Sequence, residues 1–301
     1  MTAHRTPVFD LGAWSSERLA RVEDALSQWV VADAPAGLGD AMRYAVLHGG
    51  KRLRPLLALA ASESVGGHPE AALRAACAVE LIHAYSLVHD DMPCMDDDVL
   101  RRGKPTVHVK FGQAQALLAG DALQALAFEL LVPDATSIPD AVQASLCRLL
   151  ARAAGHAGMA GGQAIDLASV GLRLDEHQLR EMHRRKTGAL LQGSVMMGAA
   201  CGPCDAHARD ALATYGAAVG LAFQVVDDIL DVTADSATLG KTPGKDAEQN
   251  KPTYVSVLGL DRSRAHAREL LGEALDALAS SRLADTRALQ ALAIMVVDRE
   301  S

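Results

Sequence analysis

The sequence LIHAYSLVHDDMPCMDDDVLRRG, residues 81–103, joins an apolar stretch to a dense cluster of charge, with five aspartates in nine positions and two arginines three and four residues after the last of them. The apolar residues recur at helical spacing. Pro93 disfavours helical geometry at the residue before it, so a helix is expected to stop there. We therefore predict a buried helix over 69–91 that ends at the first aspartate pair, with Asp96 returning toward it from a short loop.

The composition favours a helical protein. Half of the 301 residues are apolar and 22% are charged, which is a globular balance. Only 3% are aromatic, so Ala, Leu and Val must build the core, and such a core suits close-packed helices better than a β-sandwich. No low-complexity linker divides the chain. We expect an all-α fold in a single domain over 1–301.

Helical spacing recurs along almost the whole sequence, interrupted by short turns. Gly66 and Gly67 are suited to close one helix, and Asp175 with Gln178 is suited to cap another. The predicted bounds are 16–31, 39–47, 53–65, 69–91, 112–131, 140–159, 175–200, 206–232, 253–258, 263–280 and 285–299.

Several function classes are disfavoured by the charge and apolar patterns. A formal net charge of −8 argues against a nucleic-acid surface. The uncharged stretches 187–204 and 211–226 are predicted to be buried core helices rather than membrane spans. Five scattered cysteines without a signal-peptide pattern indicate reduced thiols in the cytoplasm. The CGPC sequence at Cys201–Cys204 is interpreted as a turn between helices.

A second acidic cluster, FQVVDDILDVTAD at 223–235, lies far along the chain. At 100° per residue Asp227 and Asp231 share one helix face, Asp228 lies to one side, and Gln224 lies a turn before it on that side. Both clusters come near predicted helix C-termini, where the helix dipole favours cations.

Clustered carboxylates of this kind can indicate a solvated acidic face, a calcium site or a magnesium site. The Asp-x-Asp-x-Asp-Gly loop of a calcium site is absent. Each aspartate pair follows a strongly apolar stretch, which favours a cavity over open solvent. Mg²⁺ takes a few carboxylates and completes its shell with water and substrate phosphates.

Basic residues supply the other half of such a site. HGGKRLRP at 48–55 places Lys51, Arg52 and Arg54 at a helix start, where backbone N–H groups also favour anions. Lys186 begins an uncharged segment, and GKTPGKDAEQNKPTY at 240–254 adds further lysines. Together with two magnesium-type clusters, these cations predict a polyphosphate site between apolar helices that can also hold an apolar tail.

The motifs resemble those of the short-chain trans-isoprenyl diphosphate synthase family. DDMPCMD at 90–96 and DDILD at 227–231 resemble its two aspartate-rich motifs. GGKRLRP, GGQAID, HRRKTGAL and LGKTPGKD follow the family's order, and the likeness runs from about 41 to 254. It implies the all-α isoprenoid synthase fold with helices around a deep cavity, a homodimer, and Mg²⁺-dependent joining of an allylic diphosphate to isopentenyl diphosphate.

The resemblance also implies roles by position. The Mg²⁺ ions on the allylic diphosphate would be held by Asp90, Asp91, Asp96, Asp227 and Asp231. The allylic substrate or its cation would be contacted by Arg101, Lys186, Thr187, Gln224, Lys241 and Lys251, of which Lys186, Thr187 and Gln224 are the catalytic set. Isopentenyl diphosphate would be held by Lys51, Arg54, His83 and Arg102. His83 has an alternative interpretation as a core histidine that is hydrogen-bonded to a neighbouring residue. Gln163 and Asp166 are expected to support the site rather than touch substrate.

The chemistry fits these roles. An allylic C–O bond ionises only if the departing diphosphate is stabilised, and Mg²⁺ with Lys and Arg does so electrostatically. The resulting cation needs walls without nucleophiles or free water, and the released diphosphate can take the final proton. No Ser, Cys or His nucleophile is required, so Cys94 can be incidental.

Product length is expected to depend on Tyr85. It precedes Asp90 by five residues, about 7.5 Å deeper along the helix, where an aromatic ring makes a floor that the small Ser86 does not. This resembles the arrangement that ends at C15, (2E,6E)-farnesyl diphosphate. A geranyl or geranylgeranyl synthase, a terpene cyclase and a non-catalytic subunit of a heteromeric synthase stay as alternatives, and the loop from 240 is a candidate lid.

Overall fold

Helices follow one another along almost the whole chain in a computed structural model, which describes residues 9–47, 49–233 and 252–300. The all-α prediction is confirmed. The helices are α1 Leu11–Trp29, α2 Leu38–Val46, α3 Leu53–Ser64, α4 Pro69–Asp90, α5 Val107–Phe111, α6 Gln113–Glu129, α7 Asp140–Ala154, α8 Met159–Ala168, α9 Glu176–His183, α10 Ala189–Ala199, α11 Ala206–Thr233, α12 Tyr254–Leu258, α13 Leu260–Ser280 and α14 Arg287–Val297. Short 3-10 turns lie at Pro35–Gly37 and Asp298–Glu300, and a π-helical turn lies at Arg184–Gly188.

Helix ends follow the expected signals in several places. Asp175 and Gln178 form the reciprocal capping pair at the start of α9. Gly66 takes a left-handed φ of +62° after α3, a conformation in which glycine is least strained. The first helix begins earlier than predicted, because the Asp10 carboxylate accepts a hydrogen bond from the Ala13 N–H and caps it at Leu11.

The segment predicted as one helix over 140–159 is divided. The helix α7 ends at Ala154, and the separate α8 runs over Met159–Ala168, where nothing beyond Met159 was predicted as helix. The reason lies in the turn between them: a Cβ at Gly158 would lie 2.7 Å from the Arg152 carbonyl oxygen. Only glycine permits the chain to fold back so closely over the end of α7.

Two further elements were not predicted. The segment 175–200 is interrupted by the π-helical turn, and a two-stranded antiparallel hairpin follows α4. The hairpin has two strands of two residues each, β1 Leu100–Arg101 and β2 Lys104–Pro105. Strands this short have no alternating apolar pattern by which the sequence could reveal them.

The core consists of packed Ala, Leu and Val side chains from helices of both halves of the chain. The described helix Pro69–Asp90 is long and apolar enough to cross a membrane, but 67% of its apolar window is buried inside the protein. The uncharged stretches lie mainly in α10 and α11, which are largely buried, so the core-helix prediction is confirmed. Organisation as a single domain over 1–301 stays a prediction.

Candidate active site

The loop after α4 folds back onto the end of that helix. Asp90 is its last residue, and the Asp96 N–H donates to the Asp90 carbonyl oxygen at 2.9 Å. The Asp98 N–H donates likewise to the Asp91 carbonyl at 3.1 Å. Helix-end carbonyls lack partners in the helix, so these bonds hold the loop against its end. The prediction that Asp96 returns toward the helix is confirmed.

An apolar cavity of about 380 Å³ lies beside this helix end. Part of its lining is polar and comes from four different segments of the chain. These residues are Arg54, His83, Asp90, Gln163, Lys186 and Thr187. The remainder is mainly apolar or aromatic, with Tyr85, Met95, Met159 and Leu167 among them. One cavity thus joins charged groups suited to a diphosphate with a lining suited to a hydrocarbon tail.

Asp90 is the carboxylate of the first cluster that lines this cavity. Burial raises its pKa to about 6, with Asp96 adding to the effect and Lys186 and Arg101 opposing it. A carboxylate held this way is costly to ionise, and a divalent cation beside it would favour the ionised form.

Asp91 has a different environment. It is 2% exposed, and both of its oxygens accept hydrogen bonds from the Arg101 guanidinium at 2.6–2.9 Å. Burial alone would lower the pKa of Arg101, but this carboxylate raises it above its usual value. Both residues line a smaller cavity of about 70 Å³ together with Arg102. The two members of the first aspartate pair therefore line different cavities.

Lys186 and Thr187 lie in the π-helical turn Arg184–Gly188. Turns of this kind are uncommon and occur frequently at functional sites. Here the turn is clamped between α8 and α11: a Cβ at Gly162 would lie 2.5 Å from the Lys186 Cα, and one at Gly220 would lie 2.9 Å from the Gly188 Cα. The Lys186 ammonium donates to the Asp166 carboxylate.

A chain of hydrogen bonds runs from Thr187 through α11. The Thr187 hydroxyl donates to the Gln224 side-chain oxygen at 3.0 Å, and the Gln224 amide donates to Asp228 Oδ1 at 2.7 Å. Asp228 Oδ2 accepts from the Tyr254 N–H at 2.8 Å. Asp228 is 3% exposed, so its carboxylate accepts hydrogen bonds from these protein groups rather than from solvent. The sequence expectation that Gln224 and Asp228 share a side of the helix is confirmed.

His183 lies behind this chain. Its ring stacks on the Tyr254 ring with centroids 5.5 Å apart, and its Nε2 lies 3.9 Å from Asp228 Oδ2. Burial lowers the pKa of His183 to about 4, so the ring is neutral at physiological pH. The packing holds Asp228 in place without adding charge.

The outer members of the second cluster face different surroundings. The Asp227 side chain is 40% exposed, and its Oδ1 accepts a hydrogen bond from Arg299 at 3.3 Å. The Arg299 guanidinium also lies over the Phe223 ring, 4.4 Å from its centroid. Asp231 is buried one turn after Asp227. The predicted allylic contacts Lys241 and Lys251 lie outside the described residues.

The cations of HGGKRLRP divide into two groups. Arg54 lines the main cavity; burial lowers its pKa, and its buried Nε has no hydrogen-bond partner among the described residues. Partial burial also lowers the pKa of Lys51. Arg52 instead forms a buried ion pair with Glu80 at 2.6 Å and a partly exposed one with Glu23 at 2.7 Å. Arg54 and Lys51 are therefore suited to an anion, and Arg52 stabilises the fold.

Arg102 and His83 lie close to the same cations. The Arg102 guanidinium donates to the Gly49 carbonyl. Burial, together with the charges of Arg54 and Arg102, lowers the pKa of His83 well below its usual value. A neutral His83 can donate a hydrogen bond to a diphosphate without further crowding the positive charge.

Tyr85 lines the cavity where the sequence placed it. Burial, with the Asp90 charge beside it, raises the pKa of its phenol, which therefore stays neutral. Its ring meets the His89 ring nearly edge to face, with centroids 5.7 Å apart. Ser86 also lines the cavity, and its hydroxyl donates to the His83 carbonyl at 2.9 Å.

A family model described as "Polyprenyl synthetase" matches residues 35–292. The chain belongs to this family. It is 52% identical over 272 residues to the "Probable farnesyl diphosphate synthase" of Bradyrhizobium diazoefficiens, covering 88% of the chain and 81% of that relative. It is 49% identical over 265 residues to the "Farnesyl diphosphate synthase" of Escherichia coli, covering 86% and 88%.

Two further members of the polyprenyl synthetase family are informative. "Geranylgeranyl pyrophosphate synthase 11, chloroplastic" of Arabidopsis thaliana is 46% identical over 279 residues, covering 91% of the chain and 78% of the relative. The crystal structure of a Helicobacter pylori geranyltransferase complexed with magnesium and isoprenyl diphosphate superimposes with a TM-score of 0.83. It is 33% identical and covers 97% of this chain and 98% of that one.

The aspartates of this polyprenyl synthetase fit magnesium by their chemistry. They are carboxylates at helix ends, and Asp90 would gain from a neighbouring cation. Among the described residues, no three His, Cys, Asp or Glu side chains converge closely enough to hold a metal by themselves. Ions held here would take their remaining ligands from water and substrate phosphates, as Mg²⁺ commonly does.

Some residues of the site were missed by sequence reasoning. They are His89 and the cavity-lining Met159 and Leu167, together with His183 and Arg299 beside the second cluster. The doubled glycine at 161–162 did carry a signal, because glycine in a helix often marks a close backbone approach. The contact of Arg299 with Asp227 joins residues 72 positions apart and leaves no local pattern.

Proposed function

We propose that this polyprenyl synthetase joins isopentenyl diphosphate head to tail with dimethylallyl and then geranyl diphosphate, and ends at (2E,6E)-farnesyl diphosphate. One observation carries the proposal: Asp90, Lys186 and Arg54 converge on a single cavity of about 380 Å³ whose lining includes Tyr85. The farnesyl diphosphate synthase names of relatives at 52% and 49% identity support the product.

The allylic diphosphate binds between the two aspartate clusters. Bound Mg²⁺ supplies positive charge that stabilises the diphosphate as it departs. Asp90, Asp91, Asp96, Asp227 and Asp231 would hold the ions, and Arg101, Lys186, Lys241 and Lys251 would contact the allylic diphosphate. Arg101 donates to both oxygens of Asp91, but Asp91 Oδ2 accepts from Arg101 Nε alone, so this oxygen would keep a lone pair for an ion.

The cation left by ionisation is stabilised by dipoles. Gln224 donates its amide N–H to Asp228, so its oxygen is directed toward Thr187, which lines the cavity. The backbone carbonyls of Lys186 and Thr187 add to this field. Apolar walls exclude water, which would otherwise trap the cation.

Isopentenyl diphosphate is held by Lys51, Arg54, His83 and Arg102. The unpartnered Arg54 Nε donor and the neutral His83 ring suit a phosphate oxygen. The double bond of isopentenyl diphosphate attacks the allylic cation, a C–C bond forms, and the released diphosphate accepts the proton that leaves. No side-chain nucleophile takes part.

A second candidate product is geranylgeranyl diphosphate, because the Arabidopsis relative at 46% identity carries that name. Tyr85 distinguishes the two. Tyr85→Ala removes the ring from the cavity lining and is expected to extend the product to C20 or beyond. A product that stays at C15 in this variant would remove Tyr85 from the role of floor.

We also infer a homodimer in the cytoplasm. All five cysteines are free, as in a reducing compartment. Leu117 and Leu118 on α6 are 47% and 53% exposed, and apolar residues of this kind are suited to a subunit contact. Light scattering of the purified protein tests the dimer, and a monomer at micromolar concentration would contradict it.

The decisive experiment incubates the pure protein with dimethylallyl diphosphate, labelled isopentenyl diphosphate and Mg²⁺, with a chelator in the control. A Mg²⁺-dependent C15 product supports the full proposal. A C10 or C20 product would support the proposed reaction but contradict the proposed C15 chain length. A folded protein that forms no product would favour the non-catalytic subunit of a heteromeric synthase.

A further inference from the structure

The side of the cavity nearest α6 is built from two rings on α4. Tyr85 and His89 are four residues apart, so they lie one turn apart on the same helix face, and both line the cavity. Their planes are inclined by 75° and their centroids are 5.7 Å apart. If His89 moves away from α6, it either pushes Tyr85 or enters the cavity itself.

His89 is seated against the backbone of α6. Its Nε2 lies 3.1 Å from the Leu117 carbonyl oxygen, and because a carbonyl only accepts, Nε2 carries the proton. The ring also lies over Gly120. A Cβ at that position would be 2.5 Å from the His89 Cδ2 and 2.7 Å from its Cε1, closer than real side-chain contacts allow. Only glycine at 120 leaves room for the ring in this place.

Gly120 lies in the interior of α6, where glycine costs about 1 kcal/mol of helix stability relative to alanine. Its backbone has an ordinary helical φ, so glycine is not needed there for conformational freedom. Gly272 in α13 has the same helical setting, but a Cβ there would meet nothing within 4 Å. Gly120 is buried and Gly272 is exposed, and the side chain that a methyl at 120 would meet first is the His89 ring.

We infer that Gly120, acting through His89, fixes the position of Tyr85 and thereby selects the length of prenyl chain that the cavity accepts. The inference rests on the proposed function and extends it to a second layer of residues. Tyr85 limits the tail directly, His89 supports Tyr85 from the side of α6, and Gly120 determines where His89 can lie.

The first test compares the C10, C15 and C20 products of the wild-type chain, Gly120→Ala and Gly272→Ala under identical conditions. The added methyl at 120 displaces the His89 ring toward the cavity, so the ratio of C15 to C10 product is expected to fall about tenfold or more, the usual effect of one methylene in an apolar pocket. Gly272→Ala adds its methyl to open space and should leave the ratio unchanged.

The second test uses His89→Ala, alone and combined with Gly120→Ala. Removing the ring frees Tyr85 to move toward α6, so the C20 share is expected to rise about tenfold. In the double variant the methyl at 120 no longer meets a ring, and the shift toward C10 should disappear. Such non-additivity is expected of residues in contact and would not arise from general destabilisation.

A crystal structure of Gly120→Ala gives a readout independent of turnover, in which the His89 ring should leave the Leu117 carbonyl. If Gly120→Ala does not fold, His89→Ala carries the test alone. Unchanged product ratios in the folded variants, with a wild-type chain that makes C15, overturn this inference and leave the proposed function standing. A wild-type chain that makes no prenyl diphosphate overturns both.

Discussion

The two aspartate clusters look alike in sequence but are held differently. The first cluster joins the end of α4 to a folded loop, and its adjacent pair is split between two cavities. Asp91 is buried and bound on both oxygens by Arg101, while Asp90 lines the main cavity with a pKa raised by burial. Within this pair, one carboxylate binds a protein cation and the other is turned toward the site.

The second cluster lies in the last two turns of α11, and it shows the same division. Asp228 is buried and accepts hydrogen bonds from Gln224 and the Tyr254 N–H, while the neighbouring Asp227 is partly exposed. Adjacent carboxylates therefore do not share a role in either cluster. The buried member should therefore contribute to stability and alignment in addition to its role at the site, and the outer member chiefly to catalysis.

Asp90→Asn tests the outer member of the first pair and should have the largest effect. Loss of a charged group that supports the departing diphosphate is expected to lower kcat about 10³-fold. Thermal stability without Mg²⁺ should not fall, because burial makes the ionised Asp90 costly.

The control for Asp90→Asn is Asp97→Asn in the same loop. Asp97 is exposed with a φ of +50°, a conformation that asparagine tolerates well, so activity should stay within about twofold. Comparable losses in the two variants would show that the loop as a whole, rather than the Asp90 carboxylate, supports turnover.

Asp91→Asn tests the buried member of that pair. It removes the two-oxygen partner of the Arg101 guanidinium, whose side chain is 35% exposed, and leaves it the more distant Asp98 carboxylate at 3.9 Å. The free energy of unfolding is expected to drop by about 2–3 kcal/mol, below the range for a fully buried pair because solvent screens part of the charge. Urea denaturation measures the drop. A variant as stable as Asp90→Asn would contradict the division of roles within the pair.

Much of this arrangement could be predicted from the sequence because it follows from local geometry. Pro93 ends α4 before the loop, and the spacing of Gln224 and Asp228 places both on one side of α11. The grouping of Asp90 with Lys186 and Arg54 around one cavity was predicted from the motifs. These features depend on residues that are close in the chain, or on motifs that follow one another along it in a known order.

Other features depend on contacts between distant segments and leave no periodic signal. At the π-helical turn, Gly162 and Gly220 allow α8 and α11 to lie directly against the backbone of Lys186 and Gly188. The hydrogen bonds from Arg101 to Asp91 were not predicted, because sequence spacing does not decide which anions an arginine contacts, and the contact of Arg101 with substrate stays a prediction. Composition predicts a core of small residues, but it does not predict at which of these residues the backbones of two helices come into contact.

Asp228→Asn tests the buried member of the second pair, with a smaller expected effect. The asparagine can keep one acceptor for the Tyr254 N–H, but its NH₂ group would face the Gln224 amide donor. We expect kcat to fall about tenfold with KM for isopentenyl diphosphate unchanged, because misalignment of Gln224 affects cation stabilisation. Asp210→Asn, at an exposed position of the same helix, is the control. A larger loss than in Asp90→Asn would assign Asp228 to the metal set instead.

His183→Phe should have the smallest effect at neutral pH, and it tests whether the packing behind Asp228 works without charge. Burial lowers the folded-state pKa of His183 to about 4 from an ordinary value near 6.5, so its contribution to stability is full above about pH 6.5 and is lost as pH falls through 4. Phenylalanine can keep the stacking on Tyr254 and leaves no donor unpaired, because neither ring nitrogen of His183 has a hydrogen-bond partner among the described residues.

The variant should therefore match the wild type near pH 7.5 and be about 1–2 kcal/mol more stable at pH 5, as measured by urea denaturation. His177→Phe, at an exposed position of α9, should show no such gain. Equal acid sensitivity of His183→Phe and wild type would mean that the buried ring binds a proton in the folded state, and that the second cluster is held partly by a charge on His183.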